Sequence, residues 1–103
     1  LSITIGRYAF EGPYTSTGYL EDKSGVYAIL SSKSGSNSLI DVGESATVKT
    51  RVESHDRSDC WRRNSNGRQL AYAVLYTPNL QEAGRRQIEQ EIRNQYRIPC
   101  GTY

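Results

Sequence analysis

The sequence contains no apolar run near the ~18 residues that a membrane span requires, and no basic segment leading into an apolar one that would mark a signal peptide. It opens on Leu1 and has no methionine, so loss of an earlier leader or tag is one expectation, and the residues present point to the cytoplasm with no membrane partner. Only two cysteines occur, Cys60 and Cys100. Two are too few for a disulfide framework, and without secretory features they are expected as reduced thiols. Adding His55, the single histidine, to these cysteines still leaves a zinc ion short of a fourth ligand, and Cys-x-x-Cys spacing is missing. An excess of one charge is missing as well. With 13 Lys and Arg against 11 Asp and Glu the net charge is +2, so bulk electrostatics neither favours nor opposes a nucleic-acid partner.

What is present fits one domain. The chain has 103 residues, 36% hydrophobic and 23% charged, with a mean hydropathy of -0.68, which places it among globular and not disordered sequences. Folding a chain of this size removes roughly two-thirds of its surface from water, enough for one modest core. A single domain over 1-103 is expected, with its core at about 22-101 and an N-terminal strand and loop over 1-21.

Periodicity places the elements. Leu1, Ile3 and Ile5 alternate with Ser2 and Thr4, the period of a half-buried strand at a sheet edge or across the domain. The Gly-, Pro-, Ser- and Thr-rich segment FEGPYTSTGYLEDKSG reads as a loop, with Tyr14 and Tyr19 covering the core from it. Two β-rich runs, Ser24 to Leu30 and Leu39 to Ser45, flank the polar cluster SSKSGSN and suit a hairpin. On the first run Tyr27 and Ile29 share a face opposite Val26, Ala28 and Leu30. A third strand over 70-76 sets Ala71 and Ala73 on one face, small enough for a helix to press close. Helices are expected near 45-55, with Ser45 as N-cap, near 57-63, and near 80-97, where Leu80, Gly84, Ile88, Ile92 and Tyr96 recur every four residues.

The first of these helices carries two i, i+4 pairs, Val48 with Val52 and Arg51 with His55, so a cation and an imidazole stand side by side at the edge of the core. On the residues alone these are solvated or satisfied helix positions. Their order along the chain says more. Gly25-Val26-Tyr27, then Asp41-Val42-Gly43, then Arg51 ten residues past Asp41, then His55, and finally RRQIEQEIRNQYRIPCG over 85-101 resemble the GIY-YIG nuclease superfamily across residues 22 to 101. Asp41 stands where the family has a second tyrosine, and Gly101 about where it usually has asparagine.

The resemblance implies an α/β fold, a small central antiparallel sheet flanked by helices, and a divalent-metal-dependent endonuclease acting on nucleic acid, DNA first. It implies a site of Tyr27, Asp41, Arg51, His55 and Glu89, with Glu89 holding Mg²⁺ or Mn²⁺. Hard oxygen ligands suit these ions, which keep water and phosphate oxygens as further ligands. Arg51 would grip the scissile phosphate through its planar fork. His55 would orient the phosphate or exchange a proton near neutral pH. Tyr27 would position or deprotonate the attacking water. The ion pair from Glu89 to Arg93 at i, i+4 offers a surface role for Glu89 instead. Three roles are open to Asp41: a general base or second metal ligand, an anion that repels phosphate and impairs the site, or the partner of a cation such as Arg51.

Around Trp61 the residues Arg57, Arg62, Arg63 and Arg68 offer forked donors for phosphates and a ring for a base, or else a short helix with Trp61 turned inward. The alternative to an enzyme is an impaired module of the same fold that binds nucleic acid or protein without cutting. No separate recognition domain is visible, so a protein partner is the expected source of any target specificity.

Overall fold

Both faces of the strand that carries Tyr27 are apolar, and the strand accordingly lies inside a sheet. The computed structural model describes residues 1-101. Its elements in chain order are β1 (Ser2–Ile5), β2 (Tyr8–Tyr14), a one-turn 3₁₀ helix (Thr17–Tyr19), β3 (Gly25–Lys33), β4 (Ser36–Ser45), α1 (Val48–Glu53), α2 (Ser58–Asn64), β5 (Gln69–Tyr76) and α3 (Glu82–Gln95). The protein is α/β: five antiparallel strands in the order β1-β2-β5-β3-β4 form one sheet, with β4 at an edge.

Layering follows the alternation. On one face, α3 sets Ile88 and Ile92 over Ala28, Ala71 and Ala73, with Ile5, Phe10, Val26, Leu30 and Val42 around them. The alanines leave the room that lets the helix approach. On the other face, Val48 and Val52 of α1 and Trp61 of α2 cover Tyr27, Ile29, Ile40 and Val74.

Several expectations change. The segment read as a loop contains β2, which pairs Phe10 with Ile3 of β1 and Glu11 with Val74 of β5. Gly12 and Pro13 fall at a register shift between Glu11 and Tyr14, an irregularity where a strand accommodates both residue types. The polar cluster between β3 and β4 is mostly strand, because ladder hydrogen bonds are made by backbone and tolerate polar side chains. Only Ser34 and Gly35 turn, with φ of 53° and 82°, as a two-residue hairpin requires. The helix expected over 45-55 is shorter, and Ser45 ends β4. Its start is fixed from a distance: Asp22 accepts from the Thr50 amide at 2.9 Å and the Thr50 hydroxyl at 2.8 Å. Likewise α3 stops short of 80-97, leaving Leu80 and Tyr96 outside the helix and exposed.

The cysteines are a further correction. Cys60 on α2 and Cys100 are disulfide-bonded and not reduced. Cys100 is held within reach because its amide donates to the Ile40 carbonyl at 3.1 Å, which lays the C-terminal segment beside β4 and under α2. Closing a loop over a separation of 40 residues stabilises the fold by about 3 to 4 kcal/mol. No helix among the described residues is long and apolar enough to cross a membrane.

Candidate functional site

A cavity of about 410 Å³ opens at the β4 edge of the sheet, lined by Tyr27, Gly43, Glu44, Arg51, Arg57, Arg86, Glu89 and Gln90. Its floor comes from β3 and β4, one wall from α1 and the start of α2, and the other from α3. Tyr27 faces Gly43 across the ladder. The Tyr27 ring lies directly over that residue: a Cβ at position 43 would come 2.2 Å from the hydroxyl. Glycine there is what lets the phenol cross β4 and reach the cavity.

The Tyr27 hydroxyl lies 2.7 Å from His55 Nε2. His55 is buried between Tyr27 and Trp61, just beyond the end of α1. Its Nδ1 accepts from the Arg57 amide at 3.0 Å. An Nδ1 that accepts has no proton, so the neutral ring carries its proton on Nε2 and donates it to the tyrosine oxygen. Burial first, then Arg57 and Arg51, pull the His55 pKa down to about 4. Burial also pushes the Tyr27 hydroxyl up to about 12, against the opposing pull of Arg57. At pH 7 the pair is therefore a neutral imidazole donating to a protonated phenol, whose own hydrogen is free to point elsewhere. The expected proton exchange by His55 near neutral pH does not suit this environment, and His55 meets the cavity only through Tyr27.

Asp41 is placed on the same face of the sheet but behind the cavity wall, with no exposed surface. It accepts from its neighbouring Val42 amide at 2.8 Å, from Arg57 Nε at 2.8 Å and Nη2 at 3.3 Å, from Trp61 Nε1 at 2.7 Å and from Arg93 Nη2 at 2.9 Å. Of the three roles open to it, the observed one is pairing with cations, though with Arg57 and Arg93 instead of Arg51. Arg51 pairs with Asp56 at 3.0 Å. A carboxylate whose oxygens already accept from this many donors, with no solvent contact, has no open lone pair to offer a metal ion.

Glu89 lines the cavity and accepts from Arg93 Nε at 3.1 Å. The pair is not a surface one, since the two side chains are only 12% and 8% exposed. Arg93 thus bridges Glu89 to Asp41, and two carboxylates and two guanidiniums balance in charge along the β4 edge. Among the described residues no group of three or more His, Cys, Asp or Glu is placed to hold a metal ion. The carboxylates lining the cavity are Glu89 and Glu44, and Glu44 is itself 2.8 Å from the buried Arg85.

The basic segment around Trp61 divides. Trp61 is buried, its indole spent on Asp41, so it offers no ring for a base. Arg57 turns inward to the cavity, Arg62 pairs with Asp59, and Arg63 and Arg68 stand exposed. Sequence reasoning missed Glu44, Arg86 and Gln90 as cavity residues. The available signal was their spacing: Glu44 follows Gly43, while Arg86 and Gln90 lie three before and one after Glu89 on α3.

No protein-family model matches the chain, and no curated protein or solved structure matches it either.

Proposed function

We propose that this domain is a nuclease of the GIY-YIG type, hydrolysing phosphodiester bonds in nucleic acid, DNA first, with a divalent ion. The observation that carries the reading is convergence. Tyr27, Arg51 and Glu89, drawn from β3, α1 and α3, line one cavity, and His55 holds Tyr27 there.

In hydrolysis a water oxygen forms a new bond to phosphorus, the bridging P–O bond breaks, the water's proton passes to solvent, and the departing oxygen gains one. Arg51 supplies a guanidinium fork for the phosphate oxygens, stabilising charge as it builds. Tyr27 keeps its proton, because His55 already donates to its oxygen and has no free site to accept one. Its hydroxyl therefore positions a phosphate oxygen or the water by donating and does not act as the base. Mg²⁺ or Mn²⁺ fits the chemistry of the donor set, since such ions take one or two carboxylates and fill their remaining positions with water and phosphate. Glu89 is the carboxylate that would hold it, with Glu44 in the same cavity, and the bound ion would supply Lewis acidity at the phosphate. The disulfide argues against attaching this activity to a reducing cytoplasm, because such bonds persist mainly in oxidising compartments.

One observation favours a second reading. Arg93 already neutralises Glu89, as it would in a module that binds nucleic acid, or a protein partner, without cutting. Nicking of supercoiled plasmid in Mg²⁺ or Mn²⁺ separates the two. Cleavage should vanish in EDTA and fall roughly a hundredfold or more in Glu89→Gln. Cleavage that Glu89→Gln leaves unchanged, or no cleavage by the wild type, would move the reading to the binding module.

A further inference from the structure

The two positions that depart from the nuclease pattern, Asp41 and Gly101, lie against the same pair of arginines. We infer that they form one unit whose product is Arg57: Asp41 is a positioning residue that presents the Arg57 guanidinium to the cavity as a second phosphate-binding cation beside Arg51. The inference rests on the phosphate-handling reading of the cavity and adds a ligand contact to it.

Arg57 spends Nε and Nη2 on Asp41. Its Nη1 has no acceptor among the described residues, its side chain is 28% exposed, and it lines the cavity with Arg51 and Glu89. One edge of the fork is thus clamped and the remaining nitrogen is left for an anion, the arrangement that makes guanidinium a directional phosphate ligand. The clamp itself is over-determined, because Val42, Trp61 and Arg93 also donate to the same carboxylate and fix its orientation. A tyrosine at 41 offers one neutral oxygen and no counter-charge, so it would not hold two guanidiniums.

Gly101 completes the unit. Its φ is +78°, and a Cβ there would lie 2.6 Å from Arg93 Nη2 and 3.0 Å from Arg57 Cζ. An asparagine at 101 and this pair of arginines compete for the same space. The loss of one family residue therefore accompanies the loss of the other: aspartate draws the arginines in, and glycine makes room for them.

The test is a titration of the full chain with inorganic phosphate, following the Nε–Hε NMR signals of Arg51 and Arg57. Both should shift along one binding curve, and Arg57→Gln should weaken phosphate roughly tenfold. Asp41→Asn should weaken it similarly, and Asp41→Asn/Arg57→Gln should be no weaker than Arg57→Gln alone, a non-additivity that a merely structural role for Asp41 would not produce. Circular dichroism checks the fold of each variant. Should the variants fail to fold, the wild-type titration still decides, because an Arg57 signal that phosphate leaves unmoved overturns the inference. Additive losses overturn the positioning role. Phosphate binding through Arg57 without plasmid nicking would sink the nuclease reading alone, whereas nicking with phosphate affinity untouched in Arg57→Gln would sink the inference alone.

Discussion

The two faces of the sheet are held by different means. Under α3 the contact is mainly apolar: isoleucines on a bed of alanines beside Phe10, with one ion pair, Arg85 to Glu44, at its margin. Under α1 and α2 the same sheet buries Tyr27, Asp41, His55 and Trp61, whose polar atoms are all partnered, together with the disulfide. An apolar face loses stability gradually when trimmed. A polar one fails sharply, because an orphaned buried charge costs more than a missing methylene.

The largest expected effect breaks that comparison at its centre. Asp41→Leu removes the one anion shared by Arg57, Arg93 and Trp61, and should cost about 4 kcal/mol in denaturant unfolding. Ile92→Ala, beneath α3, should cost about 3 kcal/mol. The distinction lies in what remains in the folded fraction: Ile92→Ala should keep its phosphate affinity and Asp41→Leu should lose it. Equal retention by both would mean that the polar face is structural only.

Acid sharpens the comparison next. The His55 pKa is depressed in the fold, to about 4 against 6.5 for the free side chain, so the unfolded chain binds the extra proton first. Its contribution is fully present above pH 6.5 and is lost as the pH falls from there through about 4. The loss amounts to roughly 3 kcal/mol at 1.36 kcal/mol per unit. Measured as the difference between wild type and His55→Gln, the slope in this window should disappear in the variant. A slope that survives the substitution would assign the acid sensitivity of this window to groups other than His55; Asp22 and Asp56, whose hydrogen bonds hold their carboxyls below the usual range, lose their contribution only at lower pH.

How much of this was legible depends on range. Alternation along 26-30 and 70-76 assigned both faces of the central strands, since a period of two needs no partner to be read. β2 was not legible, because Gly12 and Pro13 mimic a loop and its place depends on Ile3 and Val74, far apart in sequence. The convergence of Tyr27, Arg51 and Glu89 followed from a motif order, but the fate of Asp41 did not. Its partners Arg57, Trp61 and Arg93 stand 16, 20 and 52 residues away, and no local pattern announces a carboxylate that three elements will enclose. The cysteine pair failed for the same reason, joined across α2 and a C-terminal segment whose approach only the β4 edge determines.

The smallest expected effects fall on the exposed arginines, which belong to neither face. Arg63 and Arg68 are solvated, so substitution by alanine should change stability by less than about 0.5 kcal/mol. Neither makes an ion pair among the described residues, unlike Arg57, which the fold commits to Asp41 and the cavity. If the substrate crosses α2, each alanine should reduce the salt dependence of DNA binding by about one released counterion, equally for every sequence. Anisotropy titrations from 50 to about 200 mM salt measure that slope. A slope unchanged by Arg63→Ala and Arg68→Ala but reduced by Arg86→Ala would route the strand along α3 instead, because Arg86 is the exposed cation on that wall of the cavity. Under the proposed function the nucleic acid would then approach along α3, and Tyr27 and Arg57 would meet it from the opposite wall of the same cavity.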